Sequence, residues 1–366
     1  MLRRAAYRAG LLAVTVVAVI SVTGCGGSSG AASGPTLDEV LAQVEGLSGA
    51  ERTKKLVELA EAEGGELSFY TTSSIDVSAE LAEAFEDAYD LDVSVFKSGD
   101  TLPQRMVEER KAGFHGADVV ETNAINLSFL SDEDVLVPYR GPSVSGLVEG
   151  SLHKDWTADR LNVFAVAWNT KLVPKGQEPK SWEDLADPRW KGKLLLQADD
   201  YEWFKTLWEY WVASGKTPAE ADRLAEAIAR NAIFIDGRSL GRELLAAGEF
   251  DITVNLRHAV QSEADEGAPL AWQPAVEPMF WRPDGVAAVN GSPNPAAAVL
   301  FMDWILADGQ KVFEELKTDP LRKDLLVAAS AEQIPVNVED FITEQDEWQE
   351  KYDALVPLGA KGPESP

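Results

Sequence analysis

From Glu66 onward, short apolar runs alternate with amphipathic segments, and this rhythm constrains the fold more than any other feature of the sequence. The runs at 67–70, 93–96 and 117–120 have the length and composition of strands, and the segments between them place apolar side chains on one helical face. Such alternation predicts a parallel sheet with crossover helices. The chain is therefore expected to be an α/β protein.

Polar turns follow these three strands and supply the first candidate binding residues. Ser73 and Ser74 follow the first strand, Ser98 and Thr101 the second, and Glu121 the third. In parallel sheets, ligands bind outside the carboxyl ends of the strands. We therefore expect these side chains to face a common crevice.

A second α/β unit begins after a predicted strand at 162–168. Further strands are predicted at 194–197, 232–235 and 252–254, and the chain returns to the first unit near Val286. The turns at the ends of these strands supply the remaining candidate binding residues, which are Trp168, Asn169, Asp200, Tyr201, Arg238, Ser239, Asn255, Arg257 and His258.

The first 25 residues are typical of an export signal. A basic start precedes an apolar run at 11–20, which is too short to span a bilayer comfortably, and small residues lead to Cys25, the only cysteine in the chain. Residues 22–25 resemble the lipobox of bacterial lipoproteins, in which the cysteine is acylated. The sequence thus predicts lipidation at Cys25, with a simple cleaved signal as the alternative.

Charge and cysteine content exclude several classes of protein. Lys and Arg number 33 against 61 Asp and Glu, a formal net charge of -28, and the sequence contains no basic patch. A nucleic-acid binder is therefore not expected. One cysteine cannot form an intramolecular disulfide or a cysteine-cluster metal site.

Several segments together resemble a known family. They are 65–70, 116–120, 167–170, 179–193, 247–249 and 291–298, of which 179–193, with its Ser-Trp-Glu-Asp-Leu and Trp-Lys-Gly-Lys stretches, is the most specific. From about Glu66 to Leu316 the chain is similar to the ferric, polyamine and thiamine group of extracellular solute-binding proteins of ABC importers. That resemblance implies a two-lobed type II periplasmic-binding-protein fold with two hinge crossovers.

The expected organisation follows from the signal, the resemblance and the strand pattern. It comprises a lipoprotein signal peptide at 1–24, a flexible tether at 25–35, lobe 1 with N-terminal helices at 36–163, lobe 2 at 164–284, a return to lobe 1 at 285–330, and a C-terminal helix and tail at 331–366.

The resemblance also implies a role and partners. A receptor of this group captures a small-molecule solute between its lobes and delivers it to a membrane permease that works with a cytoplasmic ATPase. We expect a monomer held by its lipid on the outer face of the cell membrane, with no cofactor, metal or catalytic residue.

Two kinds of solute remain open at this point. Arg238, Arg257 and the serines and threonines near helix starts suit a small anion such as a phosphonate, phosphate ester or carboxylate. Asp200, Tyr201 and Glu121 suit a polyamine or another cation. Iron-binding members resemble one another in carrying an adjacent tyrosine pair where this sequence has Arg257 and its neighbours, so ferric iron is not expected.

An enzyme is the alternative of another class. Residues 237–241 match G-x-S-x-G, with Ser239 as the candidate nucleophile of a serine hydrolase. His258 is the only histidine after Ser239, and the sequence has no His-Gly-Gly run of the oxyanion type upstream. A serine that binds ligand or caps a helix explains the motif better.

Overall fold

The computed structural model describes residues 35–99, 101–325 and 332–360. The predicted signal peptide, Cys25 and the tether up to residue 34 lie outside the described residues. The described helices are α1 (Leu37–Gln43), α2 (Gly49–Glu63), α3 (Ile75–Tyr89), α4 (Leu102–Lys111), α5 (Ala124–Asp132), α6 (Tyr201–Ala213), α7 (Pro218–Asn231), α8 (Arg238–Ala247), α9 (Arg257–Asp265), α10 (Pro295–Ile305), α11 (Gln310–Glu315), α12 (Val338–Thr343) and α13 (Gln345–Asp353).

Short strands alternate with these helices, and two strands are long. The described strands are β1 (Glu66–Thr71), β2 (Asp92–Lys97), β3 (Val119–Asn123), β4 (Leu136–Val137), β5 (Thr157–Asn169), β6 (Leu194–Gln197), β7 (Ala232–Ile235), β8 (Ile252–Leu256), β9 (Leu270–Ala271), β10 (Met279–Val289), β11 (Asp319–Pro320) and β12 (Gln333–Pro335).

The strands follow the order β2-β1-β3-β10-β5-β8-β6-β7. β1 is parallel to β2 and β3, and β6 is parallel to β7 and β8, as the strand–helix alternation predicts. The long strands β5 and β10 pair with each other antiparallel at the centre. We call the β2-β1-β3 half lobe 1 and the β8-β6-β7 half lobe 2, so β5 and β10 cross between the two lobes.

The two crossing strands are longer than the sequence predicts. β5 begins at Thr157 rather than at residue 162, and β10 begins at Met279, well before Val286. Charged residues interrupt the apolar runs there and obscure the strand pattern in the sequence. Buried charges are tolerated only when they are paired, and the local sequence does not show their partners. A register shift separates Asp284 from Gly285, where an added Cβ would lie 2.7 Å from the Thr157 carbonyl oxygen.

Aromatic side chains fill much of lobe 2. Trp182, Trp203 and Trp211 are almost fully buried, and the rings of Trp182 and Trp203 stack with centroids 5.4 Å apart. α13 packs against α6, where Trp348 contacts Phe204 and Trp208. The C-terminal segment therefore contributes to the core of this lobe.

Candidate functional site

Three strand ends meet at one edge of lobe 1. The Thr72 hydroxyl donates to Thr122 Oγ1 at 2.9 Å, and the Thr71 hydroxyl donates to the Glu121 carboxylate. Just beyond the end of β2, the backbone N–H of Ser98 donates to the Thr71 carbonyl at 3.0 Å. The parallel order thus brings these polar turns together, as the sequence predicts.

The crossing strands place four polar side chains on one face. Arg160 lies opposite Asp284, and Asn162 lies opposite Arg282, in the antiparallel register of β5 and β10. Residues opposite each other, and residues two apart on one strand, share a face of a sheet. Trp281, on the other face, belongs to the hydrophobic core.

Arg160 is the centre of a buried ionic cluster. It is 7% exposed, and its Nη1 lies 2.6 Å from Glu121 Oε1. Its Nη2 donates to Asp284 Oδ2 at 2.6 Å and to Ser73 Oγ at 2.8 Å. Asp159 Oδ2 lies 3.5 Å from Nη1. We call Glu121, Asp159, Arg160 and Asp284 the crossing cluster.

The crossing cluster buries charges of both signs. Burial raises the pKa of Asp159 well above its ordinary value; the nearby Glu121 and Asp284 raise it further, and Arg160 opposes them. Burial opposes the ionisation of Asp284, but Arg160 and Arg282 together hold its pKa below its ordinary value. Guanidiniums from both crossing strands therefore compensate Asp284.

Three helices of lobe 2 begin at the carboxyl ends of its parallel strands. α6 follows β6, α8 follows β7, and α9 follows β8. Within the described part of the chain, their N-cap residues Asp200, Gly237 and Leu256 form no side-chain capping hydrogen bond. Helix starts of this kind keep unpaired N–H groups and the positive end of the helix dipole.

Two arginines lie beside these helix starts. Both guanidinium ends of Arg238 contact the Asp200 carboxylate, with Nη1 donating to Oδ2 at 3.0 Å. Arg282, on β10, donates from Nη1 to Glu202 Oε2 at 2.6 Å. We call Asp200, Glu202, Arg238 and Arg282 the helix-end cluster; its two cations balance its two carboxylates.

Asn255 joins the start of α8 to the end of β8. Its Nδ2 donates to the Arg238 carbonyl at 3.1 Å, and its Oδ1 accepts from Arg242 Nη1 at 3.4 Å. Arg242 also donates from Nη2 to Ser239 Oγ at 3.3 Å. Ser239 is exposed on the first turn of α8, where its hydroxyl is held by an arginine rather than by a histidine.

His258 lies near charged groups of lobe 2 and of the crossing strands. Burial, together with the guanidiniums of Arg160, Arg257 and Arg242, lowers the pKa of His258 to about 4. The imidazole is therefore neutral at neutral pH. Its buried Nδ1 has no hydrogen-bond partner among the described residues.

Other candidates have their polar groups engaged elsewhere. Trp168 pairs with Ile252, at the end of β8 opposite to the helix starts. The Asn169 amide donates to the Leu245 carbonyl at 2.8 Å, near the end of α8. These two side chains therefore support lobe 2 and do not join the two clusters.

Arg257 and Tyr201 face side chains from later parts of the chain. Arg257 is 3% exposed and donates through its guanidinium to Asp319. The Tyr201 ring stacks on Phe341 with centroids 5.4 Å apart, and its hydroxyl accepts from Gln345 Nε2 at 3.2 Å. The guanidinium and the aromatic face that were expected to hold a ligand are thus already paired.

Two candidates of lobe 1 lie at exposed helix starts. The Ser74 hydroxyl caps α3 by accepting from the Val77 N–H at 3.4 Å, and Thr101 opens α4. Five sequence-predicted residues lie at strand ends and contact or belong to one of the two clusters, namely Ser73, Glu121, Asp200, Arg238 and Asn255. His258 lies close enough for Arg160 to act on its pKa.

The sequence analysis missed the polar residues of the crossing strands, namely Asp159, Arg160, Asn162, Arg282 and Asp284. The sequence does contain a pattern that indicates them. Two pairs of opposite charges interrupt apolar strands, one at 159 and 160 and the other at 282 and 284. A charge inside a buried strand requires a partner, so such pairs indicate a polar centre.

No group of three or more His, Cys, Asp or Glu side chains that could hold a metal ion occurs in the described ranges. The seven tyrosines of the chain include no adjacent pair.

A groove of about 830 Å³ lies away from this site, between α2 and the ends of α3 and α10. In its wall, Arg52 donates from Nε to Asp303 Oδ2 at 2.6 Å. No described helix combines the length and the apolar character needed to cross a membrane.

Residues 80–313 match the family described as bacterial extracellular solute-binding protein. Iron uptake protein A1 of Synechocystis is 23% identical over 267 residues, which cover 68% of this chain and 73% of that protein.

Solved structures match over most of the chain. Iron-bound HitA of Pseudomonas aeruginosa has a TM-score of 0.65 at 18% identity and covers 79% of this chain and 99% of its own. AfuA of Actinobacillus pleuropneumoniae, with fructose-6-phosphate bound, has a TM-score of 0.64 at 21% identity, with coverages of 81% and 100%. The two-lobed fold that the sequence resemblance implied is thereby confirmed.

Proposed function

The chain belongs to the bacterial extracellular solute-binding proteins, and we propose that its solute is a small organic anion such as a phosphonate, phosphate ester or carboxylate. The chain is a binding protein of solute transport and not an enzyme. In the proposed role it captures the anion between its lobes and delivers it to a permease driven by a cytoplasmic ATPase.

The observation that carries this proposal is the convergence of three helix starts without side-chain caps at one edge of lobe 2, beside Arg238 and Arg282. Free N–H groups and helix dipoles at such positions favour an anion. A guanidinium can grip a carboxylate or a phosphonate through two donors, and its partner carboxylate keeps it in place before the solute arrives.

The neutral charge balance of the helix-end cluster agrees with this. Two carboxylates keep Arg238 and Arg282 from repelling each other, while the dipoles of α6, α8 and α9 leave the positive potential that an anion requires. AfuA, a structural neighbour, holds a phosphate ester. The polyamine alternative has less support, because Asp200 is engaged by Arg238 and the Tyr201 ring is covered by Phe341.

The two-lobed fold gives the proposed solute a way to change the conformation. A solute shifts the equilibrium towards a closed form only if it binds that form more tightly than the open one. The helix-end cluster draws on lobe 2 and β10, and the crossing cluster draws on lobe 1 and the crossing strands. An anion that contacts both clusters would favour closure.

A thermal-shift screen of the purified protein tests the proposal. The panel contains phosphonates, phosphate esters, carboxylates, polyamines, thiamine and ferric salts, since a ligand of the folded state raises the melting temperature. We expect an anion to raise it and Arg282→Met to abolish that shift. Arg189→Met, which removes a half-exposed arginine paired with Asp187, is the matched control. A shift by polyamines alone would refute the anion.

We also propose that Cys25 carries a lipid that anchors the protein to the outer face of the membrane. The support is the sequence pattern around the only cysteine of the chain. Cys25→Ser should move the protein from the membrane fraction to the medium of the expressing cells, with Ser28→Ala as the control. Retention of the serine variant in the membrane fraction would refute the anchor.

A further inference from the structure

We infer that α12 is a positioning element of the solute site and holds the start of α6 in place through Phe341. This inference rests on the proposed function, because the start of α6 carries both carboxylates of the helix-end cluster. It follows from the contacts that α12 makes with lobe 1 on one side and with the first residue of α6 on the other.

α12 is supported from outside lobe 2. The strand that precedes it, β12, pairs with the first residues of β10, and the Val336 N–H donates to the Trp281 carbonyl at 2.8 Å. α12 then packs against α5 of lobe 1. Val338 is 5% exposed and belongs to the hydrophobic cluster that contains Leu127 and Leu130 of α5. The helix therefore has a firm base on lobe 1.

Phe341 reaches from α12 to the first residue of α6. Its side chain is 1% exposed, and its ring stacks on the Tyr201 ring with centroids 5.4 Å and planes 23° apart. Tyr201 stands between Asp200 and Glu202, the two carboxylates of the helix-end cluster. α12 thus contacts lobe 1 and an immediate neighbour of the helix-end cluster at the same time.

Two polar contacts hold the same end of α6. Gln345 donates from Nε2 to the Tyr201 hydroxyl at 3.2 Å. One turn further along α6, the buried ammonium of Lys205 lies 3.2 Å from Glu344 Oε2 and also contacts Glu209. A buried charge is tolerated only when it is paired, so the junction between α12 and α13 is fixed to α6.

The start of α6 needs this support because it lacks the usual cap. Within the described chain, the Asp200 side chain bonds no N–H of α6 and is engaged by Arg238 instead. The N–H groups of a helix start attract an anion only while they point at it. A site that is loose before binding must be ordered by its ligand, which lowers affinity. α12 removes this cost by holding the turn before the anion arrives.

Isothermal titration with three anions tests the inference. The probes are propylphosphonate, glycerol 3-phosphate and butyrate, one for each anion class of the proposed function. Phe341→Leu removes the stacked ring, and we expect it to weaken binding of the tightest probe by about tenfold or more. The matched control is Trp348→Leu, which removes a buried ring of the same segment that lies against Phe204 and Trp208, further along α6. Its affinity should stay within about threefold of the wild type.

A double-variant cycle tests whether Phe341 acts through Tyr201. Tyr201→Leu removes the partner ring, and a double variant with Phe341→Leu removes both rings. If the two rings act as a unit, the double variant should bind the same anion at most about twofold more weakly than the weaker single variant. Additive losses would show that Phe341 acts elsewhere and would overturn the inference.

Hydrogen exchange reports on the start of α6 without any solute. We expect Phe341→Leu to speed amide exchange at residues 204–206 by about tenfold or more, because the first turn opens more often. Exchange in α7, in the same lobe, serves as the internal reference and should stay nearly constant. Unchanged exchange at 204–206 overturns the inference whether or not an anion binds.

The outcomes separate this inference from the proposed function. Equal anion affinity in the wild type and in folded Phe341→Leu, or equal losses in Phe341→Leu and Trp348→Leu, overturns the positioning role and leaves the anion receptor intact. Binding of spermidine without any of the three anions overturns the anion receptor itself. Where none of the three anions binds, hydrogen exchange alone decides on α12.

A milder variant keeps the test open if Phe341→Leu does not fold. Gln345→Ala acts at a half-buried position and removes the hydrogen bond to the Tyr201 hydroxyl. It should weaken binding of the same anion by about threefold to tenfold, as is usual for the loss of one hydrogen bond, and speed the same exchange. A folded variant that changes neither measurement contradicts the inference.

Discussion

At the scale of single residues, Arg257 illustrates how burial decides the role of a charge. It is 3% exposed and paired with Asp319. We expect Arg257→Met to lower the free energy of unfolding by about 3–5 kcal/mol, because Asp319 is left buried without its partner. Urea unfolding measures this loss.

The control is Arg189→Met, whose ion pair with Asp187 is half-exposed and should contribute less than about 1 kcal/mol. The double variant Arg257→Met with Asp319→Leu should recover most of the lost stability. If the single variant is as stable as the wild type and loses only solute affinity, Arg257 is a binding residue and not a structural one.

His153 makes the stability of the folded protein depend on pH. Its ring stacks on Trp156 with centroids 3.6 Å apart, and burial lowers its pKa to about 4. The unfolded chain takes up a proton near pH 6.5, whereas the folded chain does not. The contribution of His153 is therefore fully present above about pH 6.5 and is lost as the pH falls towards 4, with His258 acting in the same direction.

We expect His153→Gln to flatten the fall in melting temperature between pH 6.5 and pH 5, a range in which most carboxylates remain ionised. Thermal unfolding at half-unit pH steps measures the slope. A double variant with His258→Gln should flatten it further. A slope identical to that of the wild type would mean that the folded protein protonates His153 normally.

The sequence identified the polar residues after strands better than those within strands. Ser73, Glu121, Asp200 and Arg238 were found because a turn after an apolar run is visible in one dimension. Arg160 and Asp284 lie 124 residues apart and became a pair only through the register of two crossing strands. Arg257 was assigned to a ligand because its partner Asp319 is distant in sequence and could not be foreseen.

At the scale of elements, α13 is part of the core of lobe 2. Trp348 is 6% exposed and lies against Phe204 and Trp208, while Tyr352 donates to the Gln197 carbonyl at 2.7 Å. We expect Trp348→Ala to cost about 3–5 kcal/mol, as is usual for the truncation of a large buried aromatic side chain. Chemical denaturation of the variant measures the cost.

The matched control is Gln349→Ala, one position further on the exposed side of the same helix, which should change stability by less than about 0.5 kcal/mol. Equal effects of the two substitutions would show that α13 is not packed on lobe 2 in solution.

The elements that the sequence predicts least well are β5 and β10. Short strands between amphipathic helices show a clear change of period, and those of both lobes were found. The crossing strands instead contain Asp159, Arg160, Arg282, Pro283 and Asp284, which break the apolar pattern. They are strands because pairing across the sheet satisfies these charges, which is a property of the assembled fold and not of a local segment.

At the scale of the whole molecule, the fold class followed from the order of elements. Strand–helix alternation permits few topologies, because parallel strands require crossover connections on the faces of the sheet. The family resemblance implied that the chain crosses twice between two lobes. The two crossings are β5 and β10, which pair with each other at the centre of the sheet. The identity of the solute depends on the few residues that this pairing brings together, which no local pattern encodes.

The net charge of -28 should affect the rate at which the protein captures a charged solute. Long-range repulsion should slow the approach of an anion, although the helix starts attract it at short range. Salt screens exposed charges beyond about 30 Å at 0.01 M and about 8 Å at 0.15 M, so the long-range repulsion is lost first. The association rate of a simple anion such as propylphosphonate should therefore rise several-fold between these concentrations, as measured by stopped-flow tryptophan fluorescence.

The dissociation rate of the same anion separates this effect from any action of salt on the protein itself, because long-range electrostatics act mainly on association. The dissociation rate of propylphosphonate should stay nearly constant over the same range. If added salt instead slows propylphosphonate, the positive potential of the helix-end cluster reaches beyond the surface and outweighs the acidity of the chain. Attraction at Arg238 and Arg282 would then govern the first encounter as well as the final bound state.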